Sequence, residues 1–309
     1  MLDYTIFGES HGPAVGVLVT GAAPGLPVDR EIIARELERR APGGPLATAR
    51  HEPDRLHILS GVYQGFTTGD PICLVLENRD TRSGDYEALR NKPRPGHADY
   101  AAWVRSGGHN DPRGGGAYSG RLTAPLVAAG AMVNAWLKEQ DIELKAQVID
   151  ENALRQQAAE AKADGDSVGG EIACTVTGLP AGLGGPGWRE AVESELARHL
   201  FAIPAVKALG FGDGAALAHM RGSRANDPLR TDGTCVRTVT NHNGGINGGV
   251  TNGMPLTFTV TFKPTPSIAL PQDTVDLSRM ENCTVAVTGR HDPCIALRAA
   301  VVVEAAMAV

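Results

Sequence analysis

At 309 residues the chain can bury a large core, and its 42% hydrophobic and 21% charged content matches ordinary water-soluble globular domains. A formal net charge of −6 gives no support to nucleic-acid binding, which calls for a basic patch, and no apolar run approaches the roughly 20 residues that span a bilayer. Five scattered cysteines (Cys73, Cys174, Cys235, Cys283 and Cys294) form no CxxC pair, so neither a disulfide framework nor a metal site is expected.

The first twelve residues, MLDYTIFGESHG, lack the basic, apolar and small-residue order of a signal peptide. With the cysteine usage, this sets the expectation of a cytoplasmic protein. In the string Gly8-Glu9-Ser10-His11-Gly12, a histidine between serine and glycine stands before an apolar strand over residues 14–20. There it is placed to transfer protons. Asp29 is a fitting N-cap for an amphipathic helix, with Ile32, Ile33 and Leu37 at helical spacing. A glycine turn then precedes a buried strand over residues 72–76. In Arg94-Pro95-Gly96-His97-Ala98-Asp99-Tyr100 a fixed turn precedes His97, with Asp99 able to orient an imidazole. His109, farther along, competes for the same role.

Glycine is over-represented, 38 in all, against a usual share of about 7%. It clusters at residues 107–120, 182–187 and 244–253, which reads as loops that bring backbone close to a ligand. The first cluster, Arg113-Gly114-Gly115-Gly116-Ala117-Tyr118-Ser119-Gly120-Arg121-Leu122-Thr123, runs into a helix starting near Thr123. Consecutive N–H groups at a helix start favour an anion. The spacing is neither a Walker loop nor the dinucleotide fingerprint. Residues 151–164 read as an exposed polar helix. Lys263-Pro264-Thr265-Pro266-Ser267 closes a strand over residues 256–262 and offers an ammonium and two hydroxyls to a phosphate or carboxylate. Thr288-Gly289-Arg290-His291-Asp292-Pro293-Cys294 adds a guanidinium fork and a possible base, Asp292.

Three segment pairs repeat in the same order along the chain: residues 19–40 with 176–200, 65–78 with 249–264, and 119–133 with 288–302. Ordered repetition points to an internal duplication with Arg121 and Arg290 equivalent. The expectation is a single domain over residues 1–309, with halves of about 1–145 and 146–309. Because strands and helices do not alternate regularly, it should be α+β and not doubly wound. The collected donors and acids suit a small polyanion whose leaving group must be protonated.

Taken together, GESHG, RPGHAD, SGRLT, KPTPS and GRHDPC in this order resemble the chorismate synthase family across essentially the whole chain. The resemblance implies a β-α-β sandwich subunit in a homotetramer that binds reduced FMN beside 5-enolpyruvylshikimate 3-phosphate. The implied reaction is a trans-1,4 elimination of phosphate giving chorismate, the last common step of aromatic amino-acid biosynthesis. It also implies residue roles. His11 resembles the acid for departing phosphate, and His97 the residue at N1 of the reduced flavin. Asp292 resembles the carboxylate that assists N5 in removing the ring proton. Ser10, Arg40, Arg94, Arg121 and Arg290 match substrate-binding positions; Ser119, Gly248, Lys263, Thr265, Ser267 and Arg290 match positions that hold FMN. Some members also reduce their flavin with NADPH, which enters the expectation as a reductant only. Three stretches depart from the common pattern: Ala41 with Pro45 or Leu46, and Ala117, where many members carry arginine, and Pro204 in place of asparagine. The resemblance further implies a C-terminal helix that continues past Val309.

Overall fold

The computed structural model describes residues 2–44, 46, 47, 52–80, 89–287 and 291–309. Four strands form a first antiparallel sheet: β1 (Asp3–Gly8), β2 (Ala14–Thr20), β3 (Leu56–Ser60) and β4 (Ile72–Glu77). Their spatial order is β1-β2-β4-β3. Four later strands form a second sheet: β5 (Glu143–Val148), β6 (Gly170–Thr177), β7 (Val206–Phe211) and β8 (Leu256–Phe262). Their order, β5-β6-β8-β7, repeats that of the first, and all pairings are again antiparallel. The second sheet opens at Glu143.

Alternation sets which face each sheet buries. Along β4, Ile72, Leu74 and Leu76 are fully buried; along β8, Leu256, Phe258, Val260 and Phe262 point inward. Between the sheets lies a layer of helices: α1 (Arg30–Arg40), α3 (Thr123–Lys138), α5 (Val192–Phe201) and α6 (Ala300–Ala308). Two further helices are α2 (Asp99–Ser106) and α4 (Glu151–Ala163). Asp29 caps α1 by accepting from the N–H groups of Glu31 at 2.7 Å and Ile32 at 3.3 Å. Ile33 and Leu37 face inward, as their spacing predicts.

Helices α3 and α6 carry no polar stripe because each is covered on nearly every side, α3 by the first sheet and α6 by the second. They cross so closely at Gly130 that any Cβ there would overlap the backbone of Ala305. The charge buried in this layer is matched: Glu304 accepts from Arg39 at 2.8 Å and from the Ala146 N–H at 2.9 Å. Helix α4 buries only Leu154 and Ala158, consistent with the exposed helix its sequence predicts. The fold is α+β, as expected. Among the described residues no helix is long and apolar enough to cross a membrane.

Candidate active site

The loops that leave the strands toward one edge of the sandwich enclose a cleft of about 710 Å³. Three strings from the first half of the chain meet there. Ser10, in the loop between β1 and β2, is fully buried and lines the cleft. Its neighbour His11 lies against the glycine-rich loop: a Cβ on Gly114 would come within 2.5 Å of His11 Cδ2 and 2.7 Å of Nε2. At Gly115 a Cβ would sit 3.0 Å from His97 Cε1. Both glycines also hold positive φ, 60° and 87°. One backbone turn therefore touches both imidazoles, and only glycine fits it.

His97 is oriented as the sequence predicts. Its Nδ1 meets Asp99 Oδ1 in a short hydrogen bond. Asp99 also accepts from Arg94 Nε at 2.7 Å, Arg94 Nη2 at 2.9 Å and the Arg94 backbone N–H at 3.0 Å. Burial pushes the Asp99 carboxyl up, but the Arg94 and His97 hydrogen bonds outweigh it and hold the group well below the usual carboxylate range. An ionised carboxylate only accepts, so His97 carries its proton on Nδ1 and turns Nε2 toward Gly115. The 3.1 Å approach of Arg94 Nη2 to the same Nδ1 is then proximity, since a protonated Nδ1 cannot accept. His109 is exposed and does not line the cleft, so His97 is the histidine of that pair that reaches it.

A second charged cluster lies deeper. Asp54 accepts from Arg40 Nη2 at 2.8 Å through one oxygen and from Arg121 Nη1 through the other. Arg121 also donates from Nε to Asn78 Oδ1 at 2.9 Å and from Nη2 to the Glu77 carbonyl at 3.2 Å. Asn78 in turn donates to the carbonyls of Glu9 and Gly12, both at 2.9 Å, which ties the clamp to the His11 loop. Burial lowers the Arg40 pKa to about 10, against the opposing pull of Asp54. Arg40 stays charged near neutral pH.

The second half supplies the opposite wall. Arg94 reaches across to donate to Ser267 Oγ at 3.0 Å, and Lys263 Nζ donates to the Gly96 carbonyl. Burial, with Lys207 nearby, lowers the Lys263 pKa. Thr265 lines the cleft, and its Oγ1 is buried with no hydrogen-bond partner among the described residues. Asp292, 8% exposed, accepts from Arg298 Nη2 at 2.6 Å. Beside it, burial pushes the His291 pKa down to about 4, helped by the positive charge of Arg94.

Ser10, Arg40, Arg94, His97, Ser119, Arg121, Lys263, Thr265, Ser267 and Asp292 thus face one cleft, with His11 packed on its glycine wall. Gly248 is not brought there: it occupies the exposed turn between the short strands Ile246–Asn247 and Val250–Thr251. Arg290 lies outside the described residues. Ala117 and Pro204, two of the departures, also line the cleft. Sequence reasoning missed Asp54, Arg298 and the neutral His291.

Buried guanidiniums, paired carboxylates and two imidazoles are thus gathered at one cleft, an arrangement chemically able to bind an anion. The chorismate synthase family profile matches residues 2–309, and the chain belongs to that family. It is 49% identical to the chorismate synthase of Aeropyrum pernix, covering 99% of this chain and 88% of that one. It is 47% identical to the Thermococcus kodakarensis chorismate synthase, over 100% of this chain and 94% of the relative. The crystal structure of a chorismate synthase superposes with a TM-score of 0.76 at 25% identity, covering 99% of this chain and 89% of the other. The protein is an enzyme of that lyase type.

Proposed function

We propose that the protein converts 5-enolpyruvylshikimate 3-phosphate to chorismate and inorganic phosphate by a trans-1,4 elimination, with reduced FMN bound in the same cleft. The observation that carries this reading is the convergence of the Arg40–Asp54–Arg121 cluster, the His97–Asp99 pair and Asp292 on one cleft that His11 abuts.

The substrate brings a phosphate and two carboxylates. Arg40, Arg94 and Arg121 bind these groups with Ser10, fixing the ring before reaction. The carbon–oxygen bond to phosphate breaks as a ring proton leaves and a new double bond forms. His11 gives a proton to the departing phosphate. Asp292, pinned by Arg298, is the base at the end of the ring-proton path. The two residues return to their starting protonation by exchange with solvent. Arg290 is assigned to the same anion binding by resemblance alone.

The donor set fits a flavin phosphate and ring system. Thr265 Oγ1 is a buried hydroxyl without a partner among the described residues, and Ser119, Ser267, Lys263 and His97 surround the same space. These residues would hold FMN. When bound, the reduced flavin supplies transient electron density to the breaking carbon–oxygen bond. The proposal extends to a cytoplasmic homotetramer serving aromatic amino-acid biosynthesis. It also extends to one domain over residues 1–309, built from duplicated halves of about 1–145 and 146–309; the repeated strand order supports the duplication.

Anaerobic turnover tests the reading. Chorismate and phosphate should form in equal amounts with reduced FMN and not with oxidised FMN. Absence of chorismate under reducing conditions would overturn it.

A further inference from the structure

Asp54 has no counterpart among the strings that carry the family resemblance, yet it bridges two arginines that line the cleft, Arg40 and Arg121. It is 8% exposed, and each of its two oxygens takes a different guanidinium, Arg40 on Oδ2 and Arg121 on Oδ1. Its backbone holds a φ of 43°, in the left-handed region that few non-glycine residues other than asparagine and aspartate adopt. Burial pushes its carboxyl up, but Arg40 and Arg121 outweigh this and keep it ionised.

Without that carboxylate the two arginines would face each other in a dry site, where like charges repel strongly. Arg40 is the more vulnerable. It is 5% exposed, and the positive charges of Arg298 and Arg121 already act against it. The Asp54 bridge occupies one end of each guanidinium. Arg40 Nε is left buried with no partner among the described residues, a donor available to an incoming oxyanion. Arg121 is fixed from three sides, by Asp54, Asn78 and the Glu77 carbonyl.

We propose that Asp54 is a positioning residue: it holds Arg40 and Arg121 as one paired receptor for an oxyanion of the substrate. The identity of that substrate rests on the reading above; the receptor chemistry, two guanidiniums set by one carboxylate, does not. The rival role for a buried acid here is a competing anion that substrate must displace, and the two roles predict opposite signs.

The test is calorimetric titration of flavin-free wild type, Asp54→Asn and Asp54→Glu with 5-enolpyruvylshikimate 3-phosphate and, separately, with inorganic phosphate. Steady-state kcat and KM and thermal unfolding are measured on the same preparations. Removing a charged partner should weaken binding of both probes by about tenfold or more. The loss should fall on KM more than on kcat, because the receptor grips ground state and transition state alike. Asp54→Glu, which keeps the charge, should bind between the other two. Binding by Asp54→Asn as tight as or tighter than wild type would overturn the proposal, as would a loss confined to kcat. If Asp54→Asn does not fold, Asp54→Glu decides: weaker binding than wild type supports the role, and equal binding ends it. A wild type that binds substrate without turnover would sink the proposed reaction while leaving this result readable.

Discussion

The two sheets share one strand order, yet the loops they carry toward the cleft differ in physical character. Those of the first half deliver dry charge: Arg40, Asp54, Arg94 and Arg121 are each less than a tenth exposed and are paired by geometry. Those of the second half deliver hydroxyls and a half-buried ammonium, Thr265, Ser267 and Lys263, with one ion pair from Arg298 to Asp292. Equal topology therefore fixes where loops emerge, and the loop residues decide the chemistry. On the proposed reading, the charged wall grips substrate anions, and the milder wall holds the cofactor together with Ser119 and His97 of the first.

That contrast can be broken by substitution. Asp54→Ala leaves the guanidiniums of Arg40 and Arg121 buried without their shared carboxylate, and removing the partner of a buried charge costs about 3–5 kcal/mol. Lys263→Met on the other wall should change stability by only about 0.5 kcal/mol. Chemical denaturation of the two variants measures the difference; equal losses would mean that the walls are not distinct. The crossing of α3 and α6 gives the next effect. Gly130→Ala inserts a methyl into the backbone of Ala305, and overpacking of this kind costs about 1–3 kcal/mol. Unchanged stability would mean that α3 and α6 do not cross so closely.

A further effect is in pH. His291 has a folded pKa of about 4, below its unfolded value near 6.5. Below pH 6.5 the unfolded chain takes up the proton first, so stability is lost as pH falls from 6.5 toward 4. Replacing His291 with Asn should flatten the stability profile over that window. A profile as steep as wild type would show that His291 is not held neutral.

Much of this arrangement is legible in the residues alone. Asp29 capping α1, the alternation of β8 and the Asp99 partner of His97 follow from local spacing, because each interaction spans only a few residues. Asp54 does not. Its partners lie 14 and 67 residues away, and nothing in the string His51-Glu52-Pro53-Asp54 marks it as more than a turn before a strand. Arg298 is hidden for a related reason. It reads as one more position of an alanine-rich helix, whereas it lies in a short 3-10 turn, Ile295–Arg298, that ends before α6. That break turns it back to Asp292, six residues earlier. The triple glycine was readable as close backbone approach, but not that its contacts would be His11 and His97.

The central claim is that groups from both walls act together in one chemical event. A double-variant comparison of single-turnover rates with reduced FMN tests it: wild type, His11→Ala, Asp292→Ala and the two combined, each confirmed folded. The account predicts that each single change slows chorismate formation by about 10²-fold or more. The combined variant should be little slower than the worse single one, since residues acting as a unit are strongly non-additive. Wild-type rates in either single variant, or losses that simply multiply in the combined one, would contradict it.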